Sequence, residues 1–149
     1  MWMKRKISMS SNIDLALKVA WSMHGLPYRW GGDDPISGTD CSGFVSEILR
    51  SVGAIGPKAR ETTHSLWQNF QDRVVNHSHI EPGHILLFSS NGGVSGINHT
   101  GIAIGNGAMI EAGGGDSSTT SDDQASKQNA FVRVRPIRKN LFAVLRIID

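Results

Sequence analysis

The stretch TDCSGFVSEILRSVG, residues 39–53, decides how this chain is read. Cys41, Phe44, Val45, Ile48, Leu49 and Val52 recur at i, i+3, i+4 and i+7, the period of an amphipathic helix, and Gly53 stands where such a helix would stop. Thr39 and Asp40 precede the stripe as candidate caps. Cys41 therefore opens a helix on its buried face. It is the single cysteine of 149 residues, so no intramolecular disulfide is possible. Two readings stand open: a small buried hydrophobe, or a thiol whose thiolate is favoured by unpaired backbone N–H groups and the positive end of the helix dipole.

Outward from this helix the chain divides by texture. Ile13, Ala16, Leu17 and Ala20 recur at helical spacing behind Ser11 and Asp14, with Gly25 as a stop, which predicts a first helix. Another is expected from Thr62 or Thr63, carrying Leu66 and Phe70 inward. After Gly83 the runs are short and β-like: HILLF (84–88), NHTGIAI (98–104), AMIEA (108–112), FVRVR (131–135) and FAVLRII (142–148). Helices first and strands second argue for an α+β domain, with the N-terminal helices packed on a central antiparallel sheet paired through hairpins. Residues 113–130 are small and polar and read as a long mobile loop. Gly43 is expected to keep the approach to the sulfur narrow but open.

Composition bounds the function. Length allows one domain, residues 12–149, behind an N-terminal extension at 1–11, with Met9 a candidate natural start. The net charge of +2 and the scattered basic residues do not make a nucleic-acid surface, and no P-loop spacing is present. The basic start is followed by no apolar run of signal-peptide length, and no stretch would span a bilayer. A monomer, cytoplasmic as synthesised, is the expectation.

A cysteine nucleophile requires an imidazole to take its proton and a third group to orient that imidazole. His99 begins the alternating strand HTGIAI, sharing a face with Gly101 and Ala103. A turn of Asn106 and Gly107 alone would pair position 99 with 114 and put Glu111 on the opposite face. The three-residue loop Gly105–Gly107 would pair 99 with 113 and bring Glu111 to the face of His99 as a diagonal neighbour, about 7–8 Å between Cα atoms. That register is expected, and it makes Glu111 the orienting group. His64, His77, His79, His84 and His99 invite a metal reading, with His77 and His79 on one face of a strand; no second thiol and no HExxH spacing support it, so no metal is expected.

Tyr28-x-Trp30-Gly31-Gly32 followed by Asp40-Cys41-Ser42-Gly43-Phe44, and then His99-Thr100-Gly101-Ile102-Ala103-Ile104-Gly105-Asn106-Gly107, resemble the paired motifs of the NlpC family of papain-like cell-wall cysteine peptidases. The resemblance covers residues 12–148. It implies a papain-like α+β fold, no cofactor, and hydrolysis of an amide bond in peptidoglycan stem peptides, often the bond after γ-D-glutamate. It makes Cys41 the nucleophile and His99 the base, and lines the substrate and oxyanion region with Tyr28, Ser42 and Arg60, where Arg60 has two roles open to it, a partner for a substrate carboxylate or a solvated loop arginine. The third position, commonly histidine, is Glu111 here, and the family's P-G-D turn reads Pro82-Gly83-His84. A phage lysin, a tail-associated hydrolase or an injected effector would suit such a domain. A CHAP-like amidase or acyltransferase, and a non-catalytic wall-binding or tail protein, are the competing classes.

Overall fold

A computed structural model describes residues 2–149, with side chains described from residue 12 onward. The expected extension over 1–11 falls, in its side chains, outside the described residues. Helix α1 runs Trp2–Ser22, so Ser11 lies within it rather than at its start, and Gly25 at φ +88° turns the chain out of it. Strands β1 (Asp33–Asp34) and β2 (Gly38–Thr39) form a small hairpin, followed by α2 (Cys41–Ser51) and α3 (Thr63–Phe70). Then come β3 (Val74–Val75), β4 (Ile85–Ser89), β5 (Ile97–Gly105), β6 (Ala108–Gly113), α4 (Asp122–Gln128), β7 (Phe131–Pro136) and β8 (Leu141–Leu145).

The main sheet has the order β3-β8-β4-β5-β6-β7 and is antiparallel throughout. Consecutive strands from β4 to β7 are neighbours, as expected. The last strand is not: β8 crosses back to pair with β4 on one side and the short β3 on the other. Its Ala143, Val144 and Leu145 are buried on alternating faces, and a strand apolar on both faces belongs in a sheet interior rather than at the edge that a simple hairpin would give it.

One face of the sheet carries the main core. Ile85, Leu87, Ile102, Ile110, Val132 and Leu145 meet Phe44, Val45, Ile48 and Leu49 of α2 and Ala16 and Ala20 of α1. Burying four large α2 side chains completely contributes about 6–12 kcal/mol of transfer free energy, enough to set the helix against the sheet before any polar contact is counted. The opposite face carries a smaller cluster of Leu86, Phe88, Ala103, Met109 and Val144. The α3 helix is capped by a reciprocal pair, Thr62 with Ser65, and sends Leu66 into the main core. His77–His79 form a 3-10 turn rather than a strand, which removes the shared face that the metal reading needed. His84 is buried and its Nδ1 accepts the Glu81 backbone N–H at 3.1 Å, so its side chain closes the turn that enters β4.

Gly43 has a different role from the one expected. A Cβ there would overlap the Gly32 carbonyl, so the glycine lets the Gly31–Gly32 loop lie directly on the first turn of α2 instead of opening a path to the sulfur. Gly43→Ala is expected to lower stability by about 2–3 kcal/mol, because the obstruction is backbone and cannot swing aside. Thermal denaturation checks this; a variant melting within a degree of wild type would refute the close approach.

Candidate active site

The site is assembled where α2 begins, where β5 begins and along β6. Asp40 caps α2: its Oδ1 accepts the Gly43 N–H at 2.8 Å and the Ser42 hydroxyl at 3.2 Å, and its Oδ2 accepts the Gly31 N–H at 3.0 Å. One carboxylate thus ties the helix start to the glycine loop. Arg60 closes the arrangement, donating to Asp40 Oδ1 at 2.8 Å and to the Ser42 hydroxyl at 3.1 Å. Of the two roles open to Arg60, a free surface arginine is ruled out by these bonds; its guanidinium is anchored at the helix cap while still lining a cleft.

Cys41 is 9% exposed, and its thiol does not behave as the helix position alone suggests. Burial pushes it up to about 12, and the adjacent Asp40 carboxylate adds to this; the backbone N–H groups of Thr100, Ser42 and Cys41 itself pull in the other direction without winning. Desolvation thus outweighs the helix terminus, and the resting group is a neutral thiol.

His99 pairs directly with Phe88 across β4 and β5, and their rings lie 5.6 Å apart. The β5–β6 register is the one expected, Ile102 opposite Ile110 and Ala103 opposite Met109, but the turn is not. The hairpin closes as Gly105 opposite Ala108 around two residues, Asn106 and Gly107, both at positive φ (+56° and +75°). An irregularity between Ala103 and Gly105 restores the register that a three-residue loop would have given. Glu111 consequently reaches the imidazole, with His99 Nε2 2.6 Å from Glu111 Oε1.

Glu111 is completely buried. Burial alone would push its carboxyl up, but the His99 hydrogen bond and charge, together with Arg138, hold it at about 2. It is therefore a carboxylate, an acceptor only, and the ring nitrogen facing it must carry the proton. That leaves Nδ1 of His99 with its lone pair. Burial also keeps the imidazole neutral: it lowers the His99 pKa, which Glu111 opposes and Arg138 and Arg133 reinforce. Sequence reasoning missed both arginines. Arg133 had a readable signal, since it stands directly opposite Glu111 in the β6–β7 ladder; Arg138 comes from the turn after β7 and had none.

Two clefts meet at Cys41. The first, about 400 Å³, is lined by Tyr28, Trp30, Asp40, Ser42, Arg60 and Asn98 as well as the thiol. The second, about 340 Å³, has Tyr28, Trp30 and Asn98 again, together with His99, Gly113–Gly115, Asp116 and Arg138. All six expected site residues therefore line these clefts or, in the case of Glu111, stand behind His99. Tyr28 is buried against residue 115, where a Cβ would overlap its ring. Burial, reinforced by the negative charges of Asp40 and Asp116, holds its phenol well above the ordinary range, so it is a hydrogen-bond donor.

The segment 113–130 is correspondingly not a free loop. Thr119 is buried and accepts the Trp30 N–H at 2.8 Å, Ala130 accepts the Tyr28 N–H at 3.0 Å, and α4 is capped by Ser121. Its small polar composition reflects close packing on Tyr28 and a wall for the second cleft. Among the described residues no three His, Cys, Asp or Glu side chains are grouped to hold a metal ion, and no helix is long and apolar enough to cross a membrane.

The probable peptidoglycan endopeptidase LytE of Bacillus subtilis (strain 168) is 34% identical over 104 residues, covering 70% of this chain and 28% of LytE. The gamma-DL-glutamyl hydrolase of the same organism is 34% identical over 98 residues, covering 65% of this chain and 22% of that enzyme. The chain thus spans less than a third of the length of either relative. The structure of the peptidoglycan hydrolase RipB from Mycobacterium tuberculosis superposes with a TM-score of 0.70 at 25% identity, over 95% of this chain and 67% of that one. Residues 25–136, which run from the loop before Tyr28 through Cys41, His99 and Glu111 to the end of β7, match the profile of the NlpC/P60 family, and the chain belongs to that family.

Proposed function

We propose that this chain is a cysteine peptidase that hydrolyses an amide bond in peptidoglycan stem peptides, the bond after γ-D-glutamate being the first choice. The observation that carries the proposal is the His99–Glu111 hydrogen bond, which leaves a neutral imidazole with a free Nδ1 in the cleft that Cys41 also lines. The naming of relatives as a peptidoglycan endopeptidase and a gamma-DL-glutamyl hydrolase supports the substrate class.

The chemistry follows from the resting charges. Because the thiol and the imidazole are both neutral, the proton leaves Sγ of Cys41 for His99 Nδ1 as the sulfur attacks the scissile carbonyl, rather than beforehand. The imidazolium then forms beside a carboxylate already bonded to Nε2–H, so no group has to reorient. The oxyanion is met by the Tyr28 hydroxyl and by backbone N–H groups at the start of α2. Collapse breaks the C–N bond, the leaving amine takes the proton from His99, and a thioester to Cys41 remains. A water that gives its proton to His99 releases the acid and restores the thiol. Ser42 and Arg60 supply polar contacts on the first cleft, and Trp30, 54% exposed, offers a flat face between the two. Nothing in the fold carries the phage-borne or injected setting expected from the sequence; the proposal concerns the wall substrate alone.

The test is digestion of purified peptidoglycan from walls of different stem-peptide chemistry, with mass spectrometry of the released fragments. Fragments with a new γ-D-glutamyl carboxyl terminus are expected. Cleavage of non-wall amides or esters alone would favour the amidase or acyltransferase class, and wall binding without any product the non-catalytic one.

A further inference from the structure

The Glu111 carboxylate holds more than a histidine. Oε1 accepts His99 Nε2–H at 2.6 Å and Arg138 Nη2–H at 2.8 Å; Oε2 accepts Arg133 Nε–H at 3.1 Å and Arg138 Nη2–H at 2.9 Å. The arginines come from different places, Arg133 from β7 directly across the ladder and Arg138 from the turn between β7 and β8. The Arg138 guanidinium also lies 5.9 Å over the Phe88 ring, which packs on the imidazole.

A buried carboxylate with an imidazole as its only partner would favour imidazolium, and a histidine charged at neutral pH is no base. Here the carboxylate's single negative charge is shared with two permanent cations, so a proton arriving on His99 enters a cluster that is already net positive. On the peptidase reading above, we propose that Arg133 and Arg138 are positioning residues that act through Glu111: they hold the carboxylate in line with Nε2 and offset its charge, so that His99 remains a neutral base into mildly acidic conditions. The other groups facing the ring from packed elements are the Cys41 thiol of α2, the Phe88 ring of β4, and Asp116 and the Tyr28 phenol across the second cleft. Of these only Asp116 carries a charge at neutral pH, and it is exposed to solvent, where its influence is screened. The arginines are therefore the charges that set the balance against Glu111.

The test uses the full chain carrying Arg133→Gln, Arg138→Gln, and the charge-keeping Arg133→Lys and Arg138→Lys. The first readout, independent of substrate, is the His99 imidazole titration by NMR, assigned by its loss in His99→Gln. The second is kcat/KM against pH on a soluble stem peptide. Each Gln variant is expected to raise the His99 pKa and move the acidic limb upward, losing about three- to tenfold of kcat/KM on that limb relative to the variant's own alkaline plateau. The Lys variants are expected to stay near wild type. Arg138 also lines the second cleft, so its effect is read from the position of the limb rather than from KM; Arg133 stands behind Glu111 and reads the charge directly. Should Arg133→Gln fail to fold, the half-exposed Arg138 and the two Lys variants still decide the matter. Unmoved titrations in the folded Gln variants, or Lys variants displaced as far as Gln variants, would overturn the proposal. A wild type that cleaves no wall substrate would sink the peptidase reading, yet the NMR titration would still report on the clamp.

Discussion

Cys41→Ala is expected to abolish release of peptidoglycan fragments, with kcat/KM falling by about four orders of magnitude or more, because Cys41 is the single thiol of the chain. The fold should survive the change. Cys41 sits at the first turn of α2, and the helix is held by Asp40 and by the Phe44, Val45, Ile48 and Leu49 stripe, none of which the substitution touches. Losing one small sulfur-bearing side chain costs about 1–2 kcal/mol. Near-native melting together with complete inactivity is therefore the expected pair of results, measured by calorimetry and by mass spectrometry of digests. Fragments that persist at wild-type rate in Cys41→Ala would remove the nucleophile assignment. A complementary result is expected from wild type rapidly quenched with acid during turnover: a protein adduct with the mass of the acyl portion, absent from the variant.

The second large effect is expected at Glu111. Glu111→Gln keeps the shape but lets an amide N–H face Nε2, so the imidazole presents the wrong tautomer to Cys41; kcat/KM is expected to fall by about two to four orders of magnitude. Glu111→Leu should in addition destabilise the domain, since it strands two guanidinium groups that the carboxylate now pairs. Removing one partner of a buried ion pair costs about 3–5 kcal/mol; because Arg133 and Arg138 are partly exposed and can turn toward water, about 2–3 kcal/mol is expected here. The sign of the pH dependence follows from the same carboxyl. Held at about 2 in the folded protein and higher when unfolded, it contributes stability that is fully present above the free carboxyl range and is lost as pH falls toward 2. Acid unfolding of Glu111→Gln should lack that component. Urea unfolding at pH 3 and at pH 6 makes the comparison, and an equal pH dependence in variant and wild type would contradict the ionised, clamped carboxylate.

These two residues also mark the boundary of what could be read without a fold. Cys41 was legible because its neighbours carry a helical period on one face and a capping residue directly before it, both local properties of fifteen residues. His99 and Glu111 were legible as a pair because strand alternation and hairpin register are nearly local as well; even so, the register was right for the wrong turn. Two residues at positive φ close the hairpin, and an irregular step beside Gly105 restores the phase, a combination that residue counting does not distinguish from a three-residue loop. The strand order was legible from β4 to β7 and not for β8, whose partner lies more than fifty residues upstream across the sheet.

Electrostatics was the least legible. A cysteine at a helix start suggests a lowered pKa, and a glutamate beside a histidine suggests a raised one. In the folded domain burial pushes the thiol up, and two arginines from β7 and the turn after it combine with burial to hold the imidazole neutral. Each sign depends on how much water is excluded and which charges arrive from distant segments, and both are products of packing.

The sequence by itself determined the α+β class, the helix that presents Cys41 and the strand that presents His99, because these follow from periodicity and capping within short windows; the irregular step beside Gly105 decided that Glu111 reaches the imidazole. The tertiary structure alone decided that segment 113–130 is a wall packed on Tyr28, that Gly43 admits the Gly32 backbone, and that Arg133 and Arg138 converge on Glu111. Those depend on which surfaces come within a few ångströms across long stretches of chain, a distance that no local pattern encodes.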